Sequence, residues 1–597
     1  MVPTIPYHHV RLLCFYQKTS YCTMKWSFSL LAASSNPHNP SITSPTTFWH
    51  DIDRVRRELP STFLVPPPFL LTQLQQAPFR GALEPISVET GIPLHECDII
   101  QGSLPPNLVG RLCRNGPGRI RLPLGEASDT LRQYGHWFDG DGFVTQLVLH
   151  ANGTATFSGQ YVRTERLQAQ QQKKSADYDG FAKPGAWTKR AQGKWWQNLF
   201  AIATNPANTN VIFTKQCTNT TLLYAIAEGG HPIQLDLDTL QTITDAKPWT
   251  TPDGNNQCQS FFSAHYSRDF QTTLIYNHGV VVGPSGTAVN VMKCTADGKL
   301  VDQKMHPLPF LTFIHDNVIS ENHLLLVLQP FGAPPTALRD LILGRQSLGK
   351  QFQWDTEAYG KDSIVMVFSK ETLECVAQVP IGPVSTYHLI DAFEQKANKK
   401  NGESTKGAST ATCCSTLTLR VACHPDSAQR NHLEDCFQDL YTARQVPACE
   451  LHEFVLDLET QSLQRRRQLV PDALPFELPD MNGGFPSYRK RYIYLNSRLP
   501  DDDFINSIQK VDLETGKVGQ RLEWGKGVVA GGPIFVPKPA GTAEDDGYVF
   551  VPLYRSLDHK SDIVILDAQT MQTVTRLRLQ SHVPYQFHGA WQGAAAT

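Results

Sequence analysis

Residues 454–460 run Phe454-Val-Leu-Asp457-Leu-Glu-Thr460, an apolar strand that stops at an acid and turns at once through a hydroxyl residue. The unit returns as Leu235-Asp-Leu-Asp-Thr239, as Val511-Asp-Leu-Glu-Thr515 and as Val564-Ile-Leu-Asp-Ala-Gln-Thr570. Carboxylate and hydroxyl side chains favour such turns because they bond the local backbone. Each unit therefore predicts a strand, a tight turn and a return strand. Recurrence from roughly residue 230 to 575 predicts an all-β chain of radially repeated antiparallel sheets, a β-propeller. Unrelated hairpins in two sandwiches are the alternative that this pattern leaves open.

The alternation starts near residue 85. Gly142-Phe-Val-Thr-Gln-Leu-Val-Leu149, then His150-Ala-Asn-Gly153, then Thr154-Ala-Thr-Phe157 predict strand, turn, strand. Two segments interrupt it. Residues 396–417 are polar and predict a solvated, disordered insertion. Residues 334–349 set Leu338, Leu341, Ile342, Leu343 and Leu348 among Arg339 and Arg345 after Pro334 and Pro335. That amphipathic segment fits a helix packed on the sheet, and equally an apolar patch that enters a membrane surface.

Residues 1–50 contain no Asp or Glu, carry Arg11, Lys18 and Lys25, and are rich in Ser, Thr and Pro. This composition fits an organelle transit peptide; a disordered tail or a misplaced start fits it too. Residues 51–84, with Pro66-Pro67-Pro68, are expected to be an N-terminal extension, and residues 85–597 the propeller. The expected location is a chloroplast or other plastid in a photosynthetic eukaryote, and otherwise the cytoplasm.

The 597 residues hold 54 Lys plus Arg against 56 Asp plus Glu, a net charge of -2. That balance excludes a nucleic-acid binder that works by neutralising phosphates. Charged residues are only 18% and hydrophobic residues 41%, which predicts extensive burial rather than bulk disorder. No apolar run is long enough for a transmembrane helix. The 13 Cys are scattered without a CxxC, so they are expected to be reduced and mostly buried, not a disulfide framework or zinc ribbon.

No P-loop, HExxH, GxSxG or GxGxxG motif is present. Four of the 20 His stand out by context: His265 in Ser-Ala-His-Tyr, His315 in Phe-Ile-His-Asp, His388 in Thr-Tyr-His-Leu and His588 in Gln-Phe-His-Gly. An imidazole in an apolar strand is ordinarily hydrogen-bonded core. The separations match no local metal motif, although a propeller would bring inner strands of different blades to one axis.

Arg114-Asn-Gly-Pro-Gly118, His136-Trp-Phe-Asp-Gly-Asp-Gly142, Tyr161-Val-Arg-Thr-Glu165, Asn208-Thr-Asn-Val211, Glu228-Gly-Gly230, Phe535-Val-Pro537 and Glu544-Asp-Asp-Gly547 occur in that order. Together they resemble the carotenoid cleavage dioxygenase family, with the apocarotenoid-cleaving branch most similar. The resemblance runs from about residue 85 to the C-terminus. It implies a seven-bladed β-propeller with a helical and loop cap over the active-site face. It also implies one Fe2+ per chain, held by His265, His315, His388 and His588. Four neutral imidazoles leave coordination positions open on a divalent iron. Three outer Glu are implied at Glu228, Glu477 and Glu544, each to hold the second nitrogen of a ligand ring. Phe313 and Tyr387 are expected to line an apolar substrate tunnel, or else to be plain core.

The chain departs from the family pattern at Asp391, where Asn is usual, and at Gly532, where Glu usually precedes the Pro of the Pro-Ile-Phe-Val-Pro run. The His136–Gly142 run resembles a calcium loop only superficially, since it lacks further acids and a bidentate Glu. It is expected to be structural. The implied activity is O2-dependent cleavage of a conjugated C=C bond in a carotenoid or apocarotenoid to carbonyl products, on a protein that reaches its substrate at a membrane surface. Stilbene or phenylpropene cleavage, retinyl-ester isomerohydrolysis and a non-catalytic binding propeller are the alternatives.

Overall fold

The computed structural model describes residues 81–122, 132–172, 181–190, 195–215, 220–228, 230–243, 262–283, 286–395, 416–424, 449–502 and 504–594. The candidate transit segment and most of the extension before residue 81 lie outside them. So does the polar insertion up to residue 415. Its expected last residues, Thr416 and Leu417, instead open the strand Thr416–Cys423, where Leu417 is fully buried beside Leu419 and Val421. The apolar alternation of that strand outweighs its Ser/Thr-rich approach.

The repeated acid turn explains the strands. Asp236, Asp457, Asp512 and Asp567 each accept the backbone N–H of the Thr three residues on, at 2.8, 3.0, 3.2 and 2.9 Å. The next residue then takes a positive φ: Leu240 at 59°, Gln461 at 49°, Gly516 at 68° and Met571 at 57°. A side chain pays about 1–2 kcal/mol for that conformation, and the carboxylate–amide bonds offset the cost. Ser369 and Leu373 use the same device with a hydroxyl in place of the acid.

These turns build an antiparallel β-propeller. Among the described residues there are eight sheets of three to six strands, one of them the small sheet of the cap. The strand Lys560–Asp567 shows why they stack. Ile563, Val564, Ile565 and Leu566 are all buried, so both faces of the sheet are covered. The ring is sewn shut twice. Ile92–Glu96 and His588–Gly593 lie in one sheet with Gly110–Arg119, and Asp98–Gly102 pairs with Thr573–Arg578.

The cap is mainly loop. It contains a small sheet of Leu311–Thr312, Phe331–Ala333 and Gln353–Trp354, the short helix Ala337–Ile342, and a hydrophobic cluster centred on Phe331, Phe352 and Trp354. The amphipathic 334–349 segment forms part of it. Ala337 is buried, whereas Leu338 is 40% exposed.

The acidic run at 136–142 is structural. Asp139 accepts bonds from the Ala186 and Trp187 amides and the Thr188 hydroxyl. Asp141 pairs with Arg119 at 2.8 Å and Arg166 at 3.1 Å and accepts from the Tyr134 hydroxyl. Both carboxylates are engaged by protein partners, which pins the entry to the first sheet against the segment that closes the cavity.

Candidate metal centre

Four side chains reach the axis from equivalent places. His265 precedes the edge strand Ser267–Arg268, His315 precedes Val318–Ile319, His388 precedes Leu389–Gln395, and His588 opens His588–Gly593. Each strand is the edge of a different sheet. The rings meet edge to face. Centroid distances are 4.4 Å for His265–His315, 4.4 Å for His265–His588, 5.1 Å for His265–His388, 5.3 Å for His315–His388 and 5.2 Å for His388–His588. One nitrogen from each lies within 4.8 Å of the other three.

The acids behind the rings set their orientation. Glu477 Oε2 lies 2.9 Å from His388 Nδ1, and Glu228 Oε1 lies 2.5 Å from His315 Nδ1. Burial alone would raise Glu477, but the His388 ring beside it holds the carboxyl at about 2. Burial and the adjacent imidazoles hold His265 and His588 well below the usual histidine range, so both are neutral. The buried Nε2 atoms of His265 and His388 have no hydrogen-bond partner. Buried polar atoms are ordinarily paired, so two orphaned nitrogens aimed into one cluster mark a set of donors that a metal ion would satisfy. Four imidazole donors suit a divalent first-row metal.

His278 provides the contrast. It also lines the cavity and is buried, but Nε2 bonds the Ile314 carbonyl at 3.0 Å and Nδ1 faces Asn317 Nδ2 at 3.3 Å. Both of its nitrogens have protein partners, and it stands outside the cluster.

Glu544 does not take the place expected of it. Its Oε1 accepts the Arg491 and Tyr492 amides at 2.8 and 2.9 Å, and its carbonyl accepts from Asn482. It anchors a turn, and no histidine is among its partners. Among the described contacts no carboxylate reaches His588. Arg114 lies there instead, donating to the carbonyls of Gly532 and Phe587 at 2.8 and 3.2 Å. The Glu expected before Pro533 is Gly532, so the fourth imidazole lacks the acid that two of its neighbours have.

Three participants escaped the sequence reading. Asp316 Oδ1 lies 3.7 Å from His265 Nδ1, while Oδ2 accepts the Leu389 amide at 2.8 Å. Its signal was its position directly after His315. The Cys449 thiol donates to Glu477 Oε1 at 3.2 Å, and His424 stands 3.9 Å from the same oxygen. Asp391, the departure after His388, pairs with Arg420 and accepts the Lys490 amide, away from the metal cluster.

A cavity of about 570 Å³ opens over the imidazoles, and His315, His388 and His588 form part of its wall. Phe313 and Tyr387 line it, with ring centroids 5.6 and 5.5 Å from that of His315. Phe138, Trp187, Phe352 and Phe587 continue the apolar wall, and no Lys or Arg is among the described lining residues. The lining extends to Phe200, Ile202, Leu338, Leu341 and Ile342. Phe200 and Ile202 are 75% and 69% exposed, with Trp196 at 56% beside them, so the site has an apolar collar in contact with solvent. Sequence reading found the Leu341 half of it and not the Trp196–Ile202 half.

The RPE65 family model, described as retinal pigment epithelial membrane protein, matches residues 83–593. The apocarotenoid-15,15'-oxygenase of Synechocystis is 27% identical over 517 residues, covering 82% of this chain and 92% of that one. Resveratrol cleavage oxygenase 1 of Botryotinia fuckeliana is 24% identical over 522 residues, covering 84% and 83%. Cobalt-substituted Synechocystis ACO superposes with a TM-score of 0.71 at 24% identity, covering 87% of this chain and 99% of that one. The chain belongs to the RPE65 family, the carotenoid oxygenases.

Proposed function

We propose that this protein is a non-haem iron(II) dioxygenase that cleaves a conjugated C=C bond of a carotenoid or apocarotenoid, giving two carbonyl products that take both atoms of O2. The observation that carries the reading is the convergence of His265, His315, His388 and His588, with orphaned nitrogens, at the wall of an apolar cavity. The four His would hold the ion, Glu228 and Glu477 would orient His315 and His388, and Asp316 would face His265. Ferrous iron, when bound, supplies the activation of dioxygen beside the substrate. The chain's own work is to fix the rings, exclude water and set which double bond lies over the metal. Phe313 and Tyr387, against the His315 ring, are the nearest walls for that selection.

A polyene needs a long apolar wall and little polar recognition, and the lining supplies that. Among the described lining residues there is no Lys to recognise a stilbene phenol. Incubating the iron-loaded protein with carotenoids, apocarotenals, resveratrol and a retinyl ester, with mass spectrometry of the products, tests the assignment. Aldehydes from a polyene and O2 uptake are expected. Aldehydes from resveratrol alone would favour the stilbene reading, and ester hydrolysis without O2 uptake the isomerohydrolase reading.

The collar gives such a substrate a way in from a bilayer. Trp196, Phe200, Ile202 and Leu338 would enter the lipid surface with the cavity mouth between them. Phe200→Asp with Leu341→Asp is expected to lower liposome co-sedimentation several-fold at unchanged iron content. Unchanged co-sedimentation contradicts the docking. The acid-free N-terminus supports delivery to a plastid.

A further inference from the structure

Away from the cavity, a second group of ligand-type side chains gathers where the two chain ends are sewn together. Glu84, His559 and His582 each offer a donor atom, and these atoms lie within 4.8 Å of one another. Glu84 precedes the first strand. His559 sits in the hairpin between Gly547–Arg555 and Lys560–Asp567. His582 lies in the connection from Thr573–Arg578 to His588–Gly593. Glu84 is 1% and His582 6% exposed and His559 is half-buried, so three residues distant in sequence have been brought together. None of them lines the cavity.

The hydrogen bonds around the rings prepare them as donors. His582 Nε2 lies 3.0 Å from the Glu84 carbonyl oxygen. A carbonyl only accepts, so that nitrogen carries a proton. His559 Nδ1 is held by the Tyr554 hydroxyl at 2.8 Å, while Nε2 lies 2.8 Å from Glu84 Oε2. An outer partner on the non-ligating nitrogen is the usual support of a metal-bound imidazole. The rings stack with centroids 4.1 Å apart at 26°, a separation at which two imidazolium charges would repel.

We infer that Glu84, His559 and His582 form a second metal site, for a divalent cation of the zinc class. Two imidazoles and one carboxylate are the donor set of such an ion, with a fourth position for water. Calcium and magnesium prefer all-oxygen sites and are disfavoured. The role is a clasp. The ion joins the segment around Glu84 to the last sheet and to the connection that carries Tyr585 and Phe587 and ends at His588. Tyr585 N already bonds the Ala82 carbonyl at 2.7 Å beside it. This site does not depend on the iron reading.

The test separates the two sites. In the full-length His315→Ala/His388→Ala variant the axial cluster is disabled. After EDTA treatment and dialysis against Zn2+, metal analysis is expected to find one zinc per chain, and zinc is expected to raise the Tm by a few degrees. Adding His559→Gln and His582→Gln should remove that zinc and the zinc-dependent shift. The Tm measured in EDTA, with circular dichroism, checks that this quadruple variant folds, and the single Glu84→Gln variant should weaken zinc binding by tenfold or more. Absence of stoichiometric zinc from the axial double variant overturns the inference. So does zinc binding that survives loss of His559 and His582.

Discussion

Two regions of the molecule concentrate residues that metals favour, and they have opposite fates. In the 136–142 run, Asp139 and Asp141 are buried and fully engaged by amides, a hydroxyl and two guanidinium groups. On the axis, four imidazoles meet, and the buried Nε2 atoms of His265 and His388 have no hydrogen-bond partner among the described residues. The difference teaches that ligand-type residues in a cluster do not make a metal site. Donor atoms that turn toward one another do, when the groups behind them are already occupied in holding them still. His278, buried beside the cluster with both nitrogens paired, is the same lesson at closer range.

The largest effect that sharpens this contrast is on stability. Asp141→Asn leaves Arg119 and Arg166 buried without their counter-charge and is expected to cost about 3–5 kcal/mol, read by denaturant unfolding, with iron content of the folded protein unchanged. The pH dependence follows the same carboxylate. Burial would raise Asp141, but Arg119 and Arg166 hold it below the ordinary carboxylate value. Its contribution is therefore present above the unfolded value of about 4 and is lost as pH falls through the lower folded value. Asp141→Asn should flatten that acid limb, and an identical limb in both proteins would break the assignment.

Next is the acid behind His388. Glu477→Gln is expected to weaken iron(II) binding by about 10–100-fold, measured by competition with a chelator, without the stability loss of Asp141→Asn. The smallest effect belongs to Glu544. Glu544→Gln keeps an acceptor for the Arg491 and Tyr492 amides, so stability should fall by about 1 kcal/mol or less and iron affinity should not change. A Glu544→Gln variant that binds iron as weakly as Glu477→Gln would restore Glu544 to the metal centre.

What the sequence made legible was local or strongly patterned. The Asp236, Asp457, Asp512 and Asp567 turns are written within four residues, because the acid bonds an amide three positions on. The four His were distinguishable by their apolar approach, and the family resemblance supplied their common purpose. Contacts made by ring closure were not legible. Asp316 joins His265 to Leu389 across three sheets, and Glu84 meets His582 from the far end of the chain. Glu544 looked like a carboxylate for a ligand ring because its motif matches, yet its side chain turns to the backbone of the neighbouring sheet. The exposed Trp196–Ile202 stretch carries no periodicity, and only its place beside Leu338 makes it a collar.

Anaerobic loading with iron(II), followed by metal analysis and O2 uptake with an apocarotenal, tests the axial quartet most directly when the wild-type chain is run beside His388→Ala. The variant should hold one iron fewer per chain and consume no O2 above background. A variant that keeps the full iron count and its oxygen uptake would contradict the account.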